Sequence, residues 1–220
     1  MPRPWTLLDS ADTPDGPLEL RQRDERDFMI TIAGRVLMTS LANRSEIALG
    51  QLGCTPLAHK ARPRVLIGGL GMGYTLRAAL DALPPGARVT VVELNAVVEK
   101  WCRGPLAPLT EGALDDPRVL LVLDDISRFL SNAPGKLYDA ILLDLYEGPN
   151  HSTQGSNDPH YGHTALALSR HALAPKGVLA IWAEETDTPF ERRFRQAGFR
   201  VERLRVGRGG RRHAVYLGRT

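Results

Sequence analysis

From Arg64 onward the chain alternates short, nearly continuous apolar runs with longer segments whose apolar residues recur at helical spacing. The runs are RVLIG from Arg64, VTVVEL (Val89 to Leu94), RVLLVL (Arg118 to Leu123), YDAILLDL (Tyr138 to Leu145) and GVLAIWA (Gly177 to Ala183). Apolar runs without strict alternation predict strands covered on both faces. Between them, YTLRAALDAL, NAVVEKWCRG, ISRFLSNA and HTALALSRHAL predict helices, most ended by Gly or Pro, as at Pro84-Pro85-Gly86, Gly104-Pro105 and Pro134-Gly135. Strand and helix in such alternation predict a doubly wound, mostly parallel α/β sheet.

The two ends of the chain break that rhythm. FRVERLRV, GRGG and RRHAVYLGR predict an antiparallel hairpin with a Gly-rich turn, closing the sheet at its C-terminal end. Before Arg64, PLELRQRDERDFMITIAGRVLMTS predicts two or three strands turning at Asp24 to Asp27 and at Gly34, followed by a helix near Glu46 to Leu57. Residues 1–60 are therefore expected to form a small β-hairpin appendage with a linking helix, and residues 61–220 a Rossmann-like domain.

Composition adds bounds rather than function. With 43% hydrophobic and 24% charged residues over 220, the chain falls among soluble globular proteins with one main core. The net charge of +3 is too small to predict a nucleic-acid partner. Its excess lies in ERRFRQAGFRVERLRVGRGGRR (Glu191 to Arg212), expected as a solvated sheet edge, with polyanion binding as the alternative. Cys54 and Cys102 form neither a disulfide framework nor a metal spacing and are expected as free thiols. No run has signal-peptide or membrane-span character, so the cytoplasm is expected.

Candidate chemistry gathers where predicted strands end. Gly69-Leu70-Gly71-Met72-Gly73 follows one strand and precedes a helix, where a Gly-rich turn brings backbone N–H groups close to a ligand. Glu93 ends the next strand, twenty residues past Gly73, as an acid placed to accept both hydroxyls of a ribose. Asp124 and Asp125 end the third strand, placed either to take an exocyclic amine of adenine, with Asp125 the favoured ligand, or to cap the helix starting near Ile126. Asp144 ends the fourth, with Glu147 three residues on. A NAD-type G-x-G-x-x-G would need a glycine where Tyr74-Thr75 stand, so an S-adenosylmethionine-type nucleoside suits the turn better. The loop from Glu147 to His163 is long and polar, as lids and substrate walls often are. His151, His160 and His163 lack a metal-ligand spacing, and no metal is expected.

In VLIGGLGMGYTLR, VVELNAVVEKW, DDPRVLLVLDDISRFL and YDAILLDLYEGP, in this order and spacing, the chain resembles the spermidine synthase-like branch of the class I methyltransferase fold, from about Gly16 to the final hairpin. The resemblance implies that Gly69, Gly71 and Gly73 lie along the cofactor, with Met72 and Ile126 among the contacting positions, Glu93 on the ribose and Asp125 on the adenine amine. It implies that Asp144 helps deprotonate an attacking amine and that Glu147 holds the amine substrate. It adds a homodimer by analogy. Two departures stand out: Met72 replaces an acid that would face the cofactor's primary amine, and Leu37 falls where the family has a glutamine. SLANRSEIALG replaces an acidic, tyrosine-containing segment, with Glu46 as a functional substitute. Tyr146 and Tyr161 are expected to line the pocket.

Three functions follow. The first is methyl transfer from S-adenosylmethionine to a small polar or amine acceptor, favoured by Met72. The second is aminopropyl transfer from decarboxylated S-adenosylmethionine, as in polyamine synthesis, favoured by Asp144 with Glu147. The third is a non-catalytic nucleoside- or nucleic-acid-binding module, for which only the Arg-rich hairpin speaks.

Overall fold

The computed structural model describes residues 3–206 and 213–220; the predicted GRGG turn lies outside the described residues. Seven strands form the main sheet: β5 (Arg64–Gly68), β6 (Arg88–Glu93), β7 (Val119–Leu123), β8 (Tyr138–Leu143), β9 (Leu173–Ala183), β10 (Arg200–Val206) and β11 (His213–Arg219). Their spatial order is β10-β11-β9-β8-β5-β6-β7. The five strands from β9 to β7 are parallel, while β11 runs antiparallel to both β9 and β10. The predicted sheet and closing hairpin are thus both present.

The apolar runs are continuous because alternate residues serve two different cores. In β8, Ala140 and Leu142 join one buried cluster, while Ile141 and Leu143 join the other. The same alternation separates Val178 and Ala180 from Leu179 and Ile181 in β9. On the first face lie α1 (Arg44–Cys54), α2 (Tyr74–Ala82) and α3 (Ala96–Arg103), through Leu49, Leu76, Leu80 and Trp101. On the second lie α4 (Ile126–Ser131), α5 (His163–Ala172) and α6 (Thr188–Gln196), through Leu130, Leu166, Phe190 and Phe194. Each fully buried leucine contributes about 1.5–3 kcal/mol over leaving it in water.

Three expectations require correction. The N-terminal appendage is a four-stranded antiparallel sheet rather than a hairpin, β1 (Thr6–Thr13), β2 (Gly16–Asp24), β3 (Asp27–Ile32) and β4 (Arg35–Thr39), in that spatial order. Its first strand is an edge with Leu7 and Leu8 exposed, so no buried alternation announced it. RVLLVL is not covered on both faces: β7 is the outer strand of the main sheet, with Leu120 61% and Leu123 48% exposed. Among the described residues, the Arg-rich segment is a solvated edge in β10, whereas its first part is α6, started by the Asp187 cap and Pro189. There Phe190, Arg193 and Phe194 are buried at helical spacing, and Arg193 donates from Nε to the Tyr161 carbonyl at 2.9 Å. Cys54 and Cys102 are buried free thiols, as expected, and burial pushes each up to about 12.

Candidate active site

The glycine turn is locked between two strand ends. Gly69 N–H donates to the Val92 carbonyl, and Asp144 N–H donates to the Gly68 carbonyl, both at 2.9 Å. Gly69 lies at φ +88, and a side chain there would collide with the Asp144 carbonyl oxygen. The glycine therefore serves first to bring the turn against β8. Gly71 faces Met38 of β4, and Gly73 caps α2 in the left-handed region without a side-chain acceptor. Met72 is buried in the first-face core.

Glu93 supports the same turn from β6. Its Oε2 accepts from Leu70 N–H at 2.9 Å and its Oε1 from Asn95 N–H at 2.8 Å. Burial raises its pKa, and these backbone donors oppose the rise. The Leu94 N–H and the Asn95 side chain act on this carboxylate in the same direction. Asp125 divides its carboxylate: Oδ1 caps α4 through Arg128 N–H at 2.9 Å, while Oδ2 lies 3.8 Å from His160 Nε2. The capping role that competed with ligation in the sequence is thus occupied, and one oxygen is left over. Ile126 turns its side chain into the second-face core, where it packs towards Gly68. The adenosyl half of an S-adenosylmethionine-type cofactor fits this donor set. For a primary ammonium at the tail, position 72 supplies no counter-charge.

Beside the turn stands a group of acids. Asp144 is half-buried and its pKa is raised to about 7, by desolvation first and by the charge of Glu46 second. Thr75 Oγ lies 2.6 Å from Asp144 Oδ2 and 3.1 Å from the Glu46 main-chain carbonyl, so α2 bridges β8 and α1. Glu46 in turn accepts the Ser45 hydroxyl at 2.6 Å, and Ser45 Oγ lies 2.7 Å from His213 Nδ1. The Trp182 indole packs edge-on against the His213 ring, 4.9 Å between centroids, with its Nε1 buried and unpartnered. Tyr161 is also buried with an unpartnered hydroxyl, and burial together with Asp144 and Asp158 pushes its phenol well above the ordinary value.

The charge of Glu46 acts on Asp144 and that of Asp144 on Tyr161, whereas Glu147 is turned elsewhere. Its residue adopts φ +60, and its carboxylate accepts from Arg35 at 2.6 Å, at the rim. The Arg35 guanidinium also lies over the exposed Tyr146 ring at 5.0 Å. Leu37 is half-buried and packs on the first-face core. The 147–163 loop is fastened by His151, which bonds through its backbone N–H and Nδ1 to Asp187, and by Asp158, which accepts from the N–H groups of His160 and Tyr161. Sequence reasoning missed Thr75, Ser45, His213 and Trp182. Ser45 and His213 lie 168 positions apart, and nothing local in either segment marks the pairing.

The model of the spermine/spermidine synthase domain matches residues 52–192. A polyamine aminopropyltransferase of Ruegeria sp. (strain TM1040) is 35% identical over 53% of this chain and 40% of its own. Polyamine aminopropyltransferase 1 of Pseudomonas aeruginosa is 40% identical over 61% of this chain and 43% of its own. The chain spans less than half the length of these curated relatives. Among solved structures, the spermidine synthase from Thermotoga maritima superposes with a TM-score of 0.72 at 18% identity, covering 97% of this chain and 72% of that one. A spermidine synthase in complex with the transition-state analogue AdoDATO gives 0.71 at 18% over the same shares. At that identity the likeness is one of fold.

Proposed function

The chain belongs to the spermine/spermidine synthase domain family, and from that membership we propose that it is an aminopropyltransferase acting on an amine with decarboxylated S-adenosylmethionine. Among the two transfers expected from the sequence, the relatives favour aminopropyl over methyl. The observation that carries the reading is Asp144, half-buried next to the glycine turn, with a pKa raised to about 7 by desolvation and by the charge of Glu46. A carboxyl poised there takes a proton from an alkylammonium whose nitrogen must be free to attack.

When bound, the sulfonium cofactor supplies an electrophilic carbon. Glu93 would hold the ribose hydroxyls, and Gly69, Gly71 and Gly73 with Met72 would border the tail. Asp125 offers Oδ2 to the adenine amine. Asp144 accepts the acceptor's proton, and Thr75 holds the receiving carboxyl in place by a hydroxyl 2.6 Å from Oδ2. Glu46 adds negative charge that draws the ammonium in. The buried Tyr161 hydroxyl, lacking a partner, offers the acceptor a hydrogen bond. Tyr146 and the Arg35–Glu147 pair form the rim. In this reading residues 61–220 carry the cofactor and residues 1–60 close the acceptor side, with Glu46 as their catalytic contribution. The family analogy extends to a homodimer, which sedimentation reads.

The test is incubation with decarboxylated S-adenosylmethionine and a series of mono- and diamines, followed by mass spectrometry. Methylthioadenosine and an aminopropylated amine are expected. S-adenosylhomocysteine formed from S-adenosylmethionine instead establishes methyl transfer, the reading favoured by the absence of an acid at Met72.

A further inference from the structure

β4 runs across the mouth of the site and touches both of the loops that build it. Near its end, the Met38 sulfur stands 3.0 Å from where a side chain on Gly71 would begin, over the glycine turn. At its start, Arg35 Nη2 donates to Glu147 Oε1 at 2.6 Å, three residues past Asp144, and the guanidinium lies over the Tyr146 ring at 5.0 Å. Both sides of that ion pair are held from behind. Arg35 pairs with Ile32 across the tight Ala33-Gly34 turn, in which both residues have positive φ. Glu147 sits in the left-handed region at φ +60, a conformation that a residue with a side chain keeps only when its surroundings impose it. Its carbonyl accepts the Glu184 N–H at 3.2 Å, and the Gly148 carbonyl accepts Gln154 Nε2 at 2.9 Å. The backbone thus aims the Glu147 carboxylate at β4.

On the amine-acceptor reading of the site, we infer that Arg35 selects acceptors with a single cationic nitrogen, because it already occupies the carboxylate that a second ammonium would need. Once Asp144 has received the proton of the reacting nitrogen, a monoamine is neutral, whereas a diamine keeps one ammonium at its far end. That end lies towards the rim, where Arg35 neutralises Glu147 and covers a face of the Tyr146 ring. A second ammonium must therefore displace Arg35 from its two partners or lie beside a like charge, and both are unfavourable. An uncharged aliphatic end meets no such opposition, since the exposed Tyr146 ring and the Arg35 stem offer it apolar surface. Arg35 is on this account a specificity-determining residue, and it acts through charge.

Butylamine and diaminobutane, acceptors of equal length that differ by one charge, test the selection with decarboxylated S-adenosylmethionine as donor. In wild type, kcat/KM for butylamine is expected to exceed that for diaminobutane about fivefold, the size of an exposed charge interaction. The difference lies in KM and shrinks in about 0.5 M salt. Arg35→Gln reverses the preference, since Glu147 is then left without its counter-charge, whereas Arg35→Lys keeps it. Glu147→Gln, which leaves the guanidinium uncompensated, sharpens it. A wild type that uses the diamine as well as the monoamine, or changes at Arg35 and Glu147 that move the ratio in the same direction, overturns the inference. Calorimetry of each amine with methylthioadenosine reads the same preference without turnover. A protein that transfers no aminopropyl group but binds butylamine more tightly, with the preference lost in Arg35→Gln, overturns the proposed function and leaves the selection by Arg35 standing; binding of neither amine overturns both.

Discussion

Asp144 is half-buried with the charge of Glu46 acting on it, so its ionisation works against the fold. Its pKa is about 7 in the folded protein against an ordinary 3.8. Between those values the folded state keeps a proton that the unfolded state has released, so stability falls as pH rises from about 4 to 7 and is level beyond. Asp144→Asn abolishes that titration. Urea unfolding is expected to find the variant equal to wild type near pH 3.5 and more stable at pH 8, by on the order of a few kcal/mol. Its turnover falls by about 10²–10⁴, and the wild-type rate climbs with pH through an apparent pKa near 7. Glu93 behaves differently, because its carboxylate is tied to two backbone N–H groups. Glu93→Gln is expected to weaken methylthioadenosine binding about 10- to 100-fold in calorimetry, the range for a lost charged hydrogen bond.

Among the elements, the turn after β5 is the least tolerant of change. Gly69→Ala meets both a positive φ and the Asp144 carbonyl, and is expected to cost at least about 2 kcal/mol in urea unfolding. The long loop depends on Asp187, whose carboxylate caps α6 and holds His151 at once. Asp187→Ala removes a cap worth about 1 kcal/mol and is expected to speed proteolytic cleavage between residues 147 and 163. The central strands β8 and β9 were legible because each alternates between two cores, which makes its length apolar. α6 was hidden because arginines fill its exposed face and one, Arg193, turns inward to a carbonyl. β1 was hidden because an edge strand with two exposed leucines has no buried face to betray it. The acids at the strand ends were legible from their position after apolar runs. Glu147 misled for the same reason, since spacing from Asp144 says nothing of an arginine arriving from β4.

Over the whole molecule, the N-terminal sheet is a geometric unit without a core of its own. Leu18, Leu20, Phe28 and Ile30 lie in the same cluster as Leu49 of α1 and Val65 and Val89 of the main sheet. Residues 1–60 and 61–220 are therefore expected to unfold in a single transition, with coincident circular dichroism and fluorescence curves. Residues 61–220 expressed alone would expose the partners of those four side chains and aggregate. Among the described residues no helix is long and apolar enough to cross a membrane.

The order of the main sheet sets a timetable for synthesis. β11 follows every other strand in the chain, yet it lies between β10 and β9, and it carries His213 to Ser45. On the ribosome, β10 has no neighbour to pair with until β11 has emerged, and Ser45, made early, waits for a histidine made late. A nascent chain stalled before position 213 would already have its glycine turn and Asp144, but not the imidazole that Ser45 meets in the finished fold.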